Sequence, residues 1–325
     1  MSIRSIIAHY SLLPISKSLI RWQLSYSEEE IEKTLLIIRR LEDSTWMRRI
    51  EDLQAYYWTR ITIDKDRVEE KSEWIRYKHM IAPPIKSGIL FLHGGGFIAG
   101  MPSFARLITV YVAEEVNAVF VPYYRKPPED PFPAALEDAL NAYQMMVREV
   151  GDRLVIMGDS AGAGLALSTY LTLKKNQRLH NLPLPRGLVL LSPWIDLSGE
   201  TTLSVASNND HDSLIPIESI PIIGGLYTTG KAEKIADHIK NDPLISPFHQ
   251  EDQNYWKDMP PTLVQYASEE ALAADAKKLA ELAGDQVILD EIKDGWHSCQ
   301  YFGKLLPEAE QALSRVSRFI SNIVK

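Results

Sequence analysis

Cysteine is almost absent: Cys299 is the only one in 325 residues, which excludes an internal disulfide and a Cys-rich zinc site and removes any need for an oxidising compartment. Long apolar runs are absent as well. Residues 1 to 27 hold Arg4, Lys17 and Arg21 and no acid, the charge pattern of a leader or anchor. Yet their apolar stretches are broken by His9, Ser11, Pro14, Ser16 and Lys17, no run nears the length of a membrane span, and no small-residue cleavage site is visible. The spacing of Leu12, Leu13, Ile15, Leu19, Ile20 and Leu24 fits an amphipathic segment on the protein's own surface instead. Interfacial membrane contact stays open, stable insertion is not expected, and the expected location is cytoplasmic. Positive charge is in deficit, with 35 Lys plus Arg against 43 Asp plus Glu and a net charge of -8. That balance repels phosphate backbones, so nucleic acid is not expected as a partner and a neutral or cationic small molecule is.

Several cofactor signatures are also missing. There is no G-x-x-x-x-G-K-[ST], no G-x-G-x-x-G and no H-E-x-x-H, so neither a nucleotide nor a metal is expected. His211, between Asp210 and Asp212, is a dense acid and histidine cluster, but it lacks metal-ligand spacing. Repeats and charge blocks are absent, and apolar residues make up 45% of the chain, enough to bury a large core.

What the chain does have is alternation. A helical pattern runs from about 28 to 58, and half-buried strand patterns follow at Arg60 to Asp64 and Trp74 to Ile81. Then strands at Ile89 to Leu92, Ala118 to Val121, Leu154 to Met157 and Leu188 to Leu191 alternate with helices near Phe104 to Glu115, Ala134 to Glu149 and Ser160 to Lys175. A polar stretch from about 196 to 240 interrupts this order. It resumes with strand Thr262 to Tyr266, a helix from Ala271 to Leu282, strand Val287 to Ile292 and a last helix from Pro307 to Ile323. The expected fold is α/β: a mainly parallel sheet of about eight strands, flanked by helices through right-handed crossovers, with antiparallel pairing at its first edge.

Gly158-Asp159-Ser160-Ala161-Gly162 lies between a strand and a helix, the setting that a G-x-S-x-G nucleophile elbow requires. A plain glycine-rich turn would need no such placement. His93-Gly94-Gly95-Gly96-Phe97 follows another apolar strand, and its glycines leave backbone N–H groups free to face developing negative charge. Gly94 and Gly95, with Ala161 after the nucleophile, are the expected oxyanion donors, and His93 is read as a brace for the loop. With chain order Ser, acid, His, the last histidine, His297, is the expected base. The acid is open among Glu270, Glu269 and Asp275. The first two equally suit the N-terminus of the following helix, where negative charge is favoured, and Asp275 would lie a turn inside it. Cys299 is read as a buried structural thiol.

These residues, together with Tyr124-Arg125, Pro128-Glu129, Pro131-Phe132-Pro133-Ala134-Ala135 and Ser192-Pro193-Trp194, resemble the hormone-sensitive-lipase-like carboxylesterases of the α/β-hydrolase superfamily over roughly residues 85 to 320. The resemblance implies a serine esterase for short- to medium-chain carboxylic esters, with no cofactor and no metal. It also implies a mostly helical cap over the site: residues 1–55 as an N-terminal cap segment and 196–240 as a second cap insertion within a catalytic domain of 56–325. Phe97, Asp159 and Trp194 are then expected at the substrate pocket, and a homodimer stays open. The family pattern G-x-x-D-x-L falls on Ala267-Ser268-Glu269-Glu270-Ala271-Leu272, which selects Glu270, while Lys126-Pro127 departs from the family's Leu-Ala. The alternatives are a deacetylase or amidase on the same fold, or a non-catalytic ligand-binding protein.

Overall fold

The computed structural model describes residues 61–64, 72–77, 87–177, 182–205 and 217–325. The expectations for the N-terminal segment, the helix from 28 to 58 and His211 lie outside these residues. Strands β1 (Ile61–Asp64), β2 (Glu73–Tyr77), β3 (Gly88–Leu92), β4 (Ala118–Val121), β5 (Leu154–Asp159), β6 (Gly187–Leu191), β7 (Thr262–Ala267) and β8 (Val287–Ile292) form one sheet in the order β1-β2-β4-β3-β5-β6-β7-β8. β2 runs antiparallel to both its neighbours, and every pairing from β4 to β8 is parallel. The expected antiparallel edge is present. Its second strand ends at Tyr77, and residues 78 to 81 of the expectation lie outside the described residues.

The central strands read as unbroken apolar runs because helices cover both faces of the sheet, so that every residue of β3, β5 and β6 is buried. One face packs against α2 (Ala134–Val150) and α3 (Ala161–Lys175), in a core that joins Leu90, Ile156, Leu190, Tyr143 and Leu167. The opposite face packs against α1 (Pro102–Val112), with Ile89, Val155, Val189 and Ile108 in a second core. Proline opens α1 at its first helical position, where its missing N–H costs nothing. The buried Arg106 of α1 donates to Glu73 of β2, Nε to Oε2 at 2.7 Å, and so ties the antiparallel edge to the helix layer.

The insertion contains α4 (Glu200–Val205) and α5 (Ile220–Thr229), followed by short helical turns at Asp237–Lys240 and Gln253–Trp256. Helices α6 (Ala273–Ala283) and α7 (Pro307–Val324) complete the chain. No helix among the described residues is long and apolar enough to cross a membrane.

The chain passes from β3 to β4 on one side and crosses back to β5 on the other, so the loops after β3 and β5 diverge from adjacent strands. In open α/β sheets that switch point is where ligands sit. The register pairs Leu92 with Gly158, which sets the His93 to Phe97 loop beside Ser160.

Candidate active site

Ser160 follows the last residue of β5 and has φ 53° and ψ −124°, a backbone conformation that costs energy outside glycine. Close packing enforces it. A Cβ at Gly158 would stand 2.3 Å from the Gly162 carbonyl, and one at Gly162 would stand 2.1 Å from the Leu92 carbonyl. Only glycine at both positions lets the strand, turn and helix approach this closely. The Ser160 N–H donates to Leu191 O at 2.8 Å, and the Ser160 carbonyl accepts from Ala163, Gly164 and Trp194. The turn is held from both sides.

Ser160 Oγ lies 2.9 Å from His297 Nε2. On the other side of the ring, Nδ1 lies 3.3 Å from Glu270 Oε2, at the long end for such a contact, as resting sites often are before the imidazole is charged. Both groups are withdrawn from water, His297 at 4% exposure and Glu270 at 1%. Glu270 reaches this place because β7 ends at Ala267 and the chain turns, with Glu270 N–H donating to Ala267 O. Its neighbour Glu269 is directed elsewhere: its carboxylate accepts from Ser268 Oγ at 3.2 Å and is half-buried. Asp275 is fully buried and holds the backbone N–H groups of Ile195 and Asp196 at 2.7 and 2.8 Å. Of the three carboxylates left open by the sequence, only Glu270 is at the histidine.

The glycine loop departs from expectation at one position. Gly94 N–H is donated to Asp159 Oδ1 at 2.8 Å, so it is not available to an oxyanion, and the expectation of Gly94 as a donor is corrected. No acceptor for the N–H groups of Gly95, Gly96 or Ala161 is found among the hydrogen bonds of the described residues. Ala161 opens α3, where the first N–H groups have no partner inside the helix. His93 Nδ1 lies 2.8 Å from the Gly94 carbonyl, and Tyr124 donates its hydroxyl to the His93 carbonyl at 2.7 Å. Burial, with Lys126 nearby, holds the His93 imidazole well below its ordinary pKa. A carbonyl only accepts, so Nδ1 of this neutral ring carries the proton and braces the loop.

Asp159 is likewise a brace, not the pocket-lining residue expected. It is 2% exposed, with its carboxylate turned to Gly94 and to the Tyr301 hydroxyl. Burial pushes its pKa up to about 6, against the opposing effects of Gly94 N–H, Tyr301 and His297. Phe97 and Trp194 do lie beside the site, ring centroids 5.8 Å apart, with Trp194 N–H on the Ser160 carbonyl. Two neighbours were not singled out from the sequence. Ile223 of α5 would lie 3.6 Å from a Cβ at Gly96, and Tyr227 of α5 stacks on Phe97 at 3.9 Å. They stand four residues apart on one helix face, a spacing that is visible in the sequence, but nothing local says which loop that face meets. Cys299 is buried and its thiol is pushed up to about 12 by burial, unsuited to nucleophilic work. No cluster of metal-ligating side chains exists among the described residues.

A family model for the α/β-hydrolase fold matches residues 89–301. An acetyl-hydrolase of Streptomyces hygroscopicus is 32% identical over 257 residues, 77% of this chain and 79% of its own. An esterase of Acinetobacter venetianus is 32% identical over 242 residues, covering 72% and 75% of the two chains. The crystal structure of an esterase from the bacterial hormone-sensitive lipase family superposes with TM-score 0.71 at 27% identity, over 97% of this chain and 99% of that one. A hormone-sensitive lipase from a metagenome library gives TM-score 0.69 at 26% identity, over 90% and 98%. With the motif-bearing residues inside the matched span, the chain belongs to the α/β-hydrolase family, among its hormone-sensitive-lipase-like carboxylesterases.

Proposed function

We propose that this protein hydrolyses short- to medium-chain carboxylic esters through an acyl-enzyme on Ser160, with His297 as base and then acid and Glu270 as the orienting carboxylate. The observation that carries the reading is the 2.9 Å contact between Ser160 Oγ and His297 Nε2 on a strained strand-to-helix turn. In this mechanism Oγ attacks the ester carbonyl while Nε2 takes its proton. Glu270, behind Nδ1, stabilises the imidazolium that results. The carbonyl oxygen becomes an oxyanion facing the N–H groups of Gly95, Gly96 and Ala161, each such donor supplying about 3 to 4 kcal/mol. His297 then returns the proton to the leaving alcohol, and water, activated the same way, releases the acid.

The insertion supports a covered site. Ile223 and Tyr227 bring α5 onto Gly96 and Phe97, so the apolar wall beside the oxyanion loop comes from the 196–240 segment, and in this proposal that segment is part of the cap. The names of the two relatives, acetyl-hydrolase and esterase, fit a small acyl group on that side. The test is a steady-state panel of p-nitrophenyl esters from acetate to dodecanoate, with wild-type protein and Ser160→Ala. Turnover concentrated on the short and medium chains and lost in the variant is expected. Turnover that survives Ser160→Ala would remove the mechanism.

A further inference from the structure

Outside the Ser160, His297 and Glu270 group, another buried carboxyl lies behind the site. Asp275 stands five residues beyond Glu270, in the first turn of α6, with no exposed surface. Its neighbours on the buried face of α6 are apolar: Ala273, Ala276, Leu279 and Leu282. An apolar side chain would satisfy that packing without the desolvation cost of a carboxyl. What an apolar side chain could not do is accept hydrogen bonds. Asp275 Oδ2 accepts from both Ile195 and Asp196, at 2.7 and 2.8 Å.

Those two amides belong to the stretch that follows β6 and carries Trp194. The same stretch is tied at other points: Trp194 N–H donates to the Ser160 carbonyl at 3.2 Å, Trp194 Nε1–H to Asp196 O at 2.8 Å, and Leu197 N–H to Ser246 Oγ at 3.0 Å. Trp194 is 3% exposed and its ring lies against Phe97 of the glycine loop. A Cβ at Gly164 would stand 2.2 Å from the Trp194 carbonyl, so the stretch lies directly on α3 behind the nucleophile. A shift at Ile195 therefore moves a wall of the reaction site.

We propose that Asp275 is a positioning residue: by gripping the Ile195 and Asp196 amides it fixes Trp194 beside the nucleophile and so sets selectivity on the acyl side. The substrate part of this inference rests on the esterase reading above; the grip itself does not. Burial, reinforced by the charges of Asp196 and Glu270, pushes the Asp275 pKa well above the ordinary carboxylate range. Protonated or ionised, the carboxyl can accept both N–H groups through one oxygen, so the grip does not depend on its charge.

Three variants and two readouts test this. Asp275→Asn keeps an oxygen for both amides, and kcat and the acyl-length profile on p-nitrophenyl esters are expected to stay within about threefold of wild type. Asp275→Ala leaves both amides unpaired. We expect KM for the butyrate ester to rise on the order of tenfold and the acyl-length profile to change, with a smaller change in kcat. The second readout needs no turnover: hydrogen exchange in a peptide covering residues 193–198 should accelerate in Asp275→Ala while a peptide covering Ser160 stays protected. If Asp275→Ala does not accumulate folded, Asp275→Ser carries the same expectation. Wild-type KM, profile and exchange in the Ala or Ser variant would overturn the proposal. So would a loss of kcat in Asp275→Asn as deep as that of Glu270→Gln, which would place Asp275 in the triad. A wild-type protein that hydrolyses no ester would instead defeat the esterase reading, while the exchange measurement would still decide the grip.

Discussion

Glu270 and Glu269 are the same residue type at adjacent positions, and only their directions separate them. Glu270 is buried 3.3 Å from the His297 ring, whereas Glu269 is half-buried on Ser268. Glu270→Gln is expected to lower kcat on the order of 10⁴, because an amide can hold the wrong histidine tautomer and cannot stabilise the imidazolium. Glu269→Gln should leave kcat nearly intact, and steady-state kinetics on one activated ester compares the two. Asp159 supplies a second expectation. Its folded pKa, about 6, is raised above the ordinary 3.8, so the folded state binds the proton more tightly than the unfolded chain does. Stability therefore rises as pH falls from about 6 towards 4, and ionised Asp159 costs about 3 kcal/mol above pH 6, at 1.36 kcal/mol per pKa unit. Asp159→Asn should raise Tm at pH 8 and lose that gain by pH 4. Because ionised Asp159 favours a charged His297, removing that charge makes the imidazolium easier to deprotonate, and the acid limb of kcat/KM should move to lower pH in Asp159→Asn. An unmoved limb would separate Asp159 from the ionisation of His297.

Among the elements, α5 is the one that meets the glycine loop beside Ser160, through Ile223 and Tyr227. Gly224 and Gly225 let it lie against backbone: a Cβ at Gly224 would stand 2.3 Å from Leu197 O, and one at Gly225 would overlap Glu233 O. That approach is what carries Ile223 and Tyr227 onto the glycine loop. Gly224→Val is expected to push α5 outward, raise KM and admit longer acyl chains, read on the same ester panel. The strands and most helix spans were legible in the sequence because each central strand is buried on both faces and each helix shows its own period. Val287–Ile292 and Ala118–Val121 fall where expected, and α6 begins at Ala273, two residues later than read. The shift arises because Glu270 to Leu272 form the turn that directs Glu270 inward. Ser160 and His297 were legible because strand, elbow and chain order constrain them. The role of Gly94 was not. Its N–H is taken by a carboxylate 65 residues away, and the direction of Asp159 cannot be read from a motif in which it is simply the variable position. Asp275 was visible only as a rival acid, since its two partners lie about 80 residues back.

At the scale of the whole molecule, an eight-stranded sheet brings four separate stretches to one edge: the loops after β3, β5, β7 and β8. Ser160 and His297 are 137 residues apart in sequence and 2.9 Å apart in the fold, so their contact depends on correct assembly of β3 through β8. One measurement reads that convergence: intact-mass analysis of wild-type, Ser160→Ala and His297→Ala proteins after exposure to a fluorophosphonate ester, with peptide mapping of the adduct. A single phosphonyl adduct on Ser160 is expected in the wild type, none in Ser160→Ala, and labelling slowed on the order of a thousandfold or more in His297→Ala. An adduct on another residue, or labelling of Ser160 at the wild-type rate without His297, would contradict it.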